Sequence, residues 1–156
     1  MASSADDRER INPKDAIGYT KVPLSCVPAP VLMEVALAML EGALKYGRHN
    51  YRVAPVRAGI YYDAAQRHLT AWWEGEDIDP ASGVSHLSKA IATLVVARDA
   101  QMHAKMHDDR PPQTAPGWIE KLNEQAKALI GKYPEAPMPY TQNDPTLHEL
   151  HDVWKD

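Results

Sequence analysis

The segment from Val31 to Tyr46 restricts the fold of this chain more than any other. Leu, Ala and Met dominate it, and its few charged residues fall on one side of a helical projection. Pro30 precedes the segment and Gly47 follows it, as at the start and end of a helix. A helix that is apolar on most of its circumference must be covered on several sides. The pattern therefore predicts a helix in the interior of a bundle.

The rest of the chain also carries helical patterns. Three further helices are predicted, from about Val56 to Glu74, from Gly83 or Ser85 to about Ala104, and from Trp118 to Ile130. No segment shows the alternation of apolar and polar residues that is typical of a strand. We therefore predict an all-α fold, a helical bundle of about four main helices with Pro-rich N- and C-terminal arms.

Prolines divide the chain into three regions. Residues 1–30 are rich in proline and show no helical period, which predicts an extended N-terminal arm. Residues 31–106 are predicted to form the bundle that carries the functional side chains. Residues 107–156 hold the last helix and a tail with a turn around 147–154, and we expect them to pack on the bundle or on a partner subunit.

Composition excludes several classes of protein. The 156 residues carry a net charge of −4 and no basic run, which argues against a nucleic-acid partner. The single cysteine, Cys26, cannot form a disulfide within the chain and fits a reducing compartment. No apolar run approaches the length of a membrane span, and the N-terminus is polar. We therefore expect a cytoplasmic protein without a membrane partner.

An acidic loop lies between the second and third predicted helices. It contains Glu74, Glu76, Asp77 and Asp79, and His86 follows shortly after. Carboxylates at this spacing repel one another unless a cation compensates their charge. Oxygen ligands with few histidines and no thiolate favour Mg²⁺ or Mn²⁺ over Zn²⁺. The loop therefore predicts a divalent metal, and with it a phosphate-bearing ligand.

Acidic residues also occur on the apolar first helix. Glu34, Glu41 and Lys45 recur at helical spacing and form one narrow stripe. If the stripe faces inward, its carboxylates need a partner, because burying an unpaired charge costs several kcal/mol. Such a partner indicates metal ligation or catalysis. The alternative is a stripe that faces water, with Glu41 and Lys45 as an ion pair.

The second predicted helix has a mixed face of Arg57, Tyr61, His68 and Trp72. This combination is typical of a ligand wall, because Arg pairs with phosphate and an aromatic ring can cover a base. His68 alone would more often be a hydrogen-bonded core histidine, and Arg67 a surface residue.

The third predicted helix carries His86 on the same face as small residues. Ala90, Thr93 and Ala97 form a ridge that lets a neighbouring helix approach, so His86 is expected to point into the bundle. Lys89, one turn further on, can reach the same volume and suits an anion.

The sequence lacks the motifs of several other enzyme classes. The chain has no glycine-rich phosphate loop. The spacing of His148 and His151 differs from that of the zinc-protease motif. The pairs His107–Asp108 and His151–Asp152 lack the helical context of a His–Asp phosphohydrolase.

From Asn12 to about Ala100 the chain resembles the phage-encoded dATP/dGTP diphosphohydrolases, a MazG-like branch of the all-α nucleoside triphosphate pyrophosphatases. The resembling pieces cover more than half of the chain. They are Asn12–Lys14, Lys21–Leu24, Glu34–Ala36, Lys45–Asn50, Arg67–Leu69 and Gly75–Leu87.

This resemblance implies a fold and an activity. The fold is a helical bundle that assembles as a homodimer or homotetramer. The activity is cleavage of a purine deoxynucleoside triphosphate, dGTP in preference to dATP, to the monophosphate and pyrophosphate with Mg²⁺ or Mn²⁺. The biological setting is remodelling of phage nucleotide pools, including the 2-aminoadenine pathway. A non-enzymatic nucleotide- or metal-binding regulator and a triphosphohydrolase are the alternatives.

The sequence departs from the wider MazG pattern of two acidic helical pairs. Leu37 stands where the second acid of the first pair belongs, and His86 with Lys89 replaces the second pair. Close relatives often have histidine in place of Lys89 and tryptophan in place of Tyr51. The acids of the loop are therefore candidates to complete the metal site.

Roles are assigned as follows. The expected metal ligands are Glu34, Glu76, Asp77, Asp79 and His86. The expected catalytic residues are Glu34, Glu41, Lys45, Arg67, His68 and Lys89. The expected substrate-binding residues are Lys45, Asn50, Arg52, Tyr61, Arg67, Trp72 and Lys89.

Overall fold

A computed structural model describes residues 12–142 of the chain. Its helices are α1 (Pro13–Gly18), α2 (Ala29–Tyr46), α3 (Ala58–Trp73), α4 (His86–Met102) and α5 (Trp118–Ile130). The strands have two residues each: β1 (Val56–Arg57), β2 (Ile78–Asp79), β3 (Val84–Ser85) and β4 (Met106–His107). Short 3₁₀ turns occupy Leu24–Cys26 and Asn50–Arg52. The described part of the chain is mostly helical, which confirms the all-α prediction.

The helix boundaries follow the proline and glycine signals closely. Pro30 lies in the first turn of α2, where a missing N–H costs no intrahelical hydrogen bond. The helix ends at Gly47, which has φ 92° and donates its N–H to the carbonyl of Ala43 at 3.0 Å. Helix α5 has the bounds that the sequence predicted.

The N-terminal region differs from the extended backbone that was predicted. Pro13–Gly18 forms a helix, because Asn12 accepts a hydrogen bond from the backbone N–H of Lys14 through its side chain and caps the first turn. Pro13 in the first turn is compatible with this start. The turn predicted around 147–154 lies outside the described residues.

The first strand pair joins the two ends of the segment that contains α3 and α4, because β1 precedes α3 and β4 follows α4. β1 and β4 pair in parallel with Val56 opposite Met106, and the N–H of Val56 donates to the carbonyl of Lys105 at 2.9 Å. Helix α3 therefore begins at Ala58 instead of Val56. Strands of two residues are too short to show an alternating pattern, so sequence periodicity did not reveal them.

The acidic loop is itself a small hairpin. β2 and β3 are antiparallel, with Asp79 opposite Val84, and the turn between them closes at Gly83 with φ 69°. This pairing starts α4 at His86, whose backbone N–H donates to the carbonyl of Asp77 at 2.9 Å. The hairpin thus holds the acidic residues beside the first turn of α4.

Helix α4 packs against both α2 and α3. Small side chains let these helices approach: the buried core cluster is Val35, Ala38, Val84 and Ala92, with Met39 packed against it. Many larger apolar side chains of the same helices remain exposed, among them Leu32, Met33, Leu37, Leu44, Ile60, Trp73, Ile91 and Leu94.

The chain divides into two compact units, one ending at Pro111 and one beginning at Pro112. The second unit contains α5, an amphipathic helix whose apolar residues Trp118, Leu122 and Leu129 are about half exposed. Within residues 12–142, no helix is both long enough and apolar enough to cross a bilayer.

Candidate active site

Lys89 joins three elements of the first unit. It lies in the first turn of α4, and its side chain is only 14% exposed. Its ammonium lies 3.0 Å from Oε2 of Glu41 on α2 and forms an ion pair with Asp79 at the end of β2. It also donates a hydrogen bond to the Ser82 hydroxyl at 3.1 Å. We call Glu41, Asp79 and Lys89 the lysine cluster.

Hydrogen bonding in the lysine cluster stabilises the charged form of each member. The hydrogen bond from Lys89, with help from the Ala81 N–H, holds the pKa of Asp79 far below its usual range. The pKa of Glu41 is lowered mainly by its hydrogen bond from Lys45. Burial acts to lower the pKa of Lys89, but its carboxylate partners outweigh burial and raise it. The cluster is therefore fully ionised at neutral pH.

A cavity of about 650 Å³ opens beside the lysine cluster, between α2, α3 and α4. This volume is within the range of small-molecule sites in proteins. Most of its wall is apolar, and its polar side chains include Glu41, Lys45, Asn50, His68 and Lys89. Five of the predicted catalytic or substrate-binding residues therefore share one cavity, and Tyr61 is a sixth.

Tyrosines form the part of the wall nearest the end of α2. Tyr46, Tyr51 and Tyr61 all line the cavity. Burial, followed by the neighbouring Tyr46 and Tyr51, raises the pKa of Tyr61, so its phenol stays protonated. Flat aromatic surface with hydroxyl groups suits a nucleobase.

The loop after α2 forms part of the cavity wall. Gly47 has φ 92° and His49 has φ 60°, a left-handed conformation that is uncommon outside glycine. The rings of His49 and Tyr51 meet edge to face, with centroids 6.1 Å apart. This bend places Arg48 and Asn50 at the same cavity.

Two histidines meet where α3 faces α4. Nδ1 of His68 lies 2.9 Å from Nδ1 of His86. His86 is 6% exposed, and its buried Nε2 has no hydrogen-bond partner within the described residues. The nearest carboxylate oxygen to that nitrogen is Oε2 of Glu76, at 3.4 Å. Burial, and then the charge of Lys89, lowers the pKa of His68.

Of the predicted metal ligands, Glu76 and His86 lie near each other, at 3.4 Å, but no third ligand joins them in the described part of the chain. Glu34 accepts a hydrogen bond from the Ser88 hydroxyl at 2.9 Å, and Asp79 is paired with Lys89. The side chain of Asp77 is exposed. Hard carboxylate oxygens suit Mg²⁺ or Mn²⁺, but no three His, Cys, Asp or Glu side chains converge on one point in residues 12–142. The described side chains therefore do not fit a preformed metal site, and the ligand set stays a prediction.

Three predicted substrate-binding residues lie away from the cavity. Arg52 forms two hydrogen bonds to Asp99, at 2.8 and 2.6 Å. Arg67 lines a separate shallow depression on the outer face of α3. Trp72 packs edge to face on Trp73, with ring centroids 6.1 Å apart. The structure does not bring these side chains to the cavity.

Several site residues escaped the sequence predictions. Ser82 and Ser88 bond to charged site residues, and Tyr46 and Arg48 line the cavity. Ser82, Tyr46 and Arg48 lie inside segments of family resemblance, which was their only signal, and Ser88 gave none. Serines carry no charge and have no characteristic spacing, so only tertiary structure reveals such contacts.

Residues 11–110 match the family described as dATP/dGTP diphosphohydrolase, N-terminal. The chain belongs to this family. It is therefore a hydrolase that acts on phosphoric anhydrides, and its family substrates are dATP and dGTP. The match covers α1 to α4 and thus both the lysine cluster and the cavity. Neither the curated proteins nor the solved structures provide a significant match.

Proposed function

We propose that the cavity binds a purine deoxynucleoside triphosphate, with dGTP preferred over dATP, and that the enzyme releases the monophosphate and pyrophosphate. The observation that carries this proposal is the combination of aromatic and cationic side chains in one cavity. Tyr46, Tyr51 and Tyr61 line it together with Lys45 and Lys89, which both contact Glu41. One cavity therefore offers aromatic surface for a base and cationic groups for a triphosphate.

The base would lie among the tyrosines. Tyr46, Tyr51 and Tyr61 supply aromatic surface, and Asn50 adds an amide that can both donate and accept hydrogen bonds. A purine edge carries both donors and acceptors, so a single amide can distinguish related bases. We propose Asn50 as the residue that contacts the base edge.

The triphosphate would lie near Lys45 and Lys89. Both ammonium groups contact Glu41. A polyphosphate would compete with Glu41 for these cations, because lysine forms charge-assisted hydrogen bonds to phosphate as well as to carboxylate. Arg48, which lines the same cavity, adds a third positive group.

Mg²⁺ or Mn²⁺ is the expected cofactor, since enzymes of this kind generally use divalent metals. Glu34, Glu76, Asp77, Asp79 and His86 remain the proposed ligands. In the structure Asp79 is paired with Lys89.

The large exposed side chains of α2 and α4 support a homodimer or homotetramer. Leu44 is 80% exposed, and Leu32 and Leu94 are more than half exposed. Large exposed apolar patches usually mark protein contacts. We further propose that the enzyme acts on phage nucleotide pools in the host cytoplasm, where deoxynucleotides are available.

Product analysis tests the proposed reaction. The enzyme is incubated with dGTP or dATP and either Mg²⁺ or Mn²⁺ in ¹⁸O-labelled water, and the products are separated by ion exchange. We expect pyrophosphate and a monophosphate that carries the label, since attack at the α-phosphorus places the new oxygen there. Deoxyguanosine with tripolyphosphate would indicate a triphosphohydrolase. Binding without any turnover would indicate a regulator.

A further inference from the structure

An ion pair joins the loop after α2 to helix α4. Arg52 donates two hydrogen bonds to the carboxylate of Asp99, at 2.8 and 2.6 Å, although the two residues lie 47 positions apart in the chain. The Asp99 side chain is 20% exposed and that of Arg52 is 49% exposed. Two parallel bonds from one guanidinium to one carboxylate fix distance and direction together. The pair therefore ties the 3₁₀ turn Asn50–Arg52 to α4, against which the turn packs.

The tied turn carries two side chains of the cavity wall. Asn50 and Tyr51 both line the cavity, whereas the guanidinium of Arg52 is directed to α4. The carbonyl of Asn50 accepts hydrogen bonds from the N–H groups of Val53, at 2.9 Å, and Ala54, at 2.8 Å. The turn is thus one small hydrogen-bonded unit, and a contact that holds Arg52 also determines where Asn50 lies.

The backbone that enters the turn has a conformation that needs support. His49, which precedes the turn, has φ 60° and ψ 23°, in the left-handed region. Residues other than glycine are uncommon there, and such conformations persist where the surrounding structure holds them. The contact of the His49 ring with the Tyr51 hydroxyl, at 3.4 Å, is too long to fix the turn by itself. The two shorter bonds between Arg52 and Asp99 connect this strained segment to a long helix.

We propose that Arg52 and Asp99 are positioning residues, which hold the turn Asn50–Arg52 in the conformation that places Asn50 and Tyr51 against the base of the substrate. This role rests on the proposed function, in which the turn contributes contacts to the base. It also gives Arg52 a different role from the direct substrate binding that the sequence predicted. A contact to the base lies away from the reacting phosphorus, so loss of the pair should weaken substrate binding and leave the chemical step unchanged.

Amide hydrogen exchange of the full chain measures whether the pair holds the turn, and it does not depend on turnover. Arg52→Met keeps an unbranched apolar stem and removes the guanidinium. We expect the amides of Val53 and Ala54 to exchange about fivefold faster in this variant, the upper range for an exposed ion pair. Arg110→Met is the matched control, because Arg110 makes two bonds of similar length to Asp108, at 2.8 and 2.7 Å, but joins residues only two positions apart. The control should leave both amides unchanged, and unchanged amides in Arg52→Met overturn the inference.

Kinetics with dGTP, arranged as a double-mutant cycle, supply the second measurement. We expect Arg52→Met and Asp99→Leu each to raise KM by about two- to fivefold with little change in kcat, since binding cannot weaken by more than the opening of the turn increases. The double variant should resemble either single variant, because the two residues act through one contact. Arg110→Met should leave KM and kcat unchanged.

The cycle separates a positioning role from the alternatives. If Arg52→Met raises KM as much in the Asp99→Leu background as in the wild type, Arg52 binds the nucleotide directly and the inference is wrong. A fall in kcat without a change in KM in both single variants would show that the pair supports the fold only. A wild type without dGTP hydrolysis refutes the proposed function instead, and the exchange of the Val53 and Ala54 amides still decides whether the pair holds the turn.

Discussion

Replacement of Lys89 by Met tests the central electrostatic contact. The substitution keeps an unbranched side chain of similar length and removes the ammonium that Glu41 and Asp79 share. Removing one partner of a fully buried ion pair costs about 3–5 kcal/mol, because the other charge stays buried and unpaired. For Lys89→Met we expect a smaller loss of stability. Glu41 keeps Lys45, and Asp79 keeps the Ala81 N–H and the Ser82 hydroxyl.

We therefore expect Lys89→Met to lower the free energy of unfolding by about 2 kcal/mol at pH 7, a value reduced from the fully buried case. The assay is urea unfolding of the full chain followed by tryptophan fluorescence. Lys45→Met is the matched control, since Lys45 also pairs with Glu41 but is 55% exposed. Exposed pairs contribute about 0–1 kcal/mol, so the control should change stability by less than half as much.

The effect of Lys89→Met should depend on pH in a definite direction. The pKa of Asp79 is lowered in the folded protein, so its ion pair stabilises the fold above the ordinary Asp pKa of about 4. That contribution is lost as the pH falls toward the lowered pKa. The difference between wild type and Lys89→Met should therefore shrink below about pH 4. Equal stability at pH 7, or a difference that grows in acid, would refute the assignment of the cluster.

Three further predictions concern the site, its loop and the assembly. Glu34→Gln and Asp79→Asn should each abolish dGTP hydrolysis and leave the circular dichroism spectrum unchanged. Both substitutions keep the side-chain shape and remove the charge that a hard cation requires. Normal turnover in either variant would show that the substituted residue is not part of the site. Gly47→Ala should destabilise the protein by about 1–3 kcal/mol through its φ of 92°, whereas Gly42→Ala inside α2 should stabilise it by up to about 1 kcal/mol; thermal unfolding compares the two. Light scattering at micromolar concentration should give the mass of a dimer or tetramer, and Leu44→Lys should shift it toward the monomer, whereas a monomeric wild type would contradict the proposed assembly.

Long helices with clear boundaries could be predicted from the sequence. Helix α5 matches its predicted bounds, and α2 differs at its start by two residues, because apolar periodicity and the Pro and Gly signals agree there. The strands could not be predicted, because β1 and β4 are held by pairing between residues far apart in the chain. Local propensity contains no information on such a contact.

Many residues of the site could be predicted from the sequence, but most of the contacts between them could not. Glu41 and Lys45 lie one helical turn apart, so their ion pair was an expected alternative. The contact of Lys89 with Asp79 depends on the hairpin turn, and the contact of His68 with His86 depends on how α3 packs on α4. Arg67 is adjacent to His68 in sequence, yet neighbours on a helix point about 100° apart, so the two line different depressions.

The parallel pairing of β1 with β4 predicts that the first unit responds differently to force applied at its two ends. A pull on the C-terminal end of the first unit loads these strands in shear and must break them before it reaches α4 and Lys89. A pull from the N-terminal side reaches α2 before the strand pair, because α2 precedes β1 in the chain. It would strip Glu41 and Lys45 from the cavity while α3 and α4 are still joined. A processive unfoldase would therefore inactivate this enzyme earlier when it engages the N-terminal end than when it engages the C-terminal end.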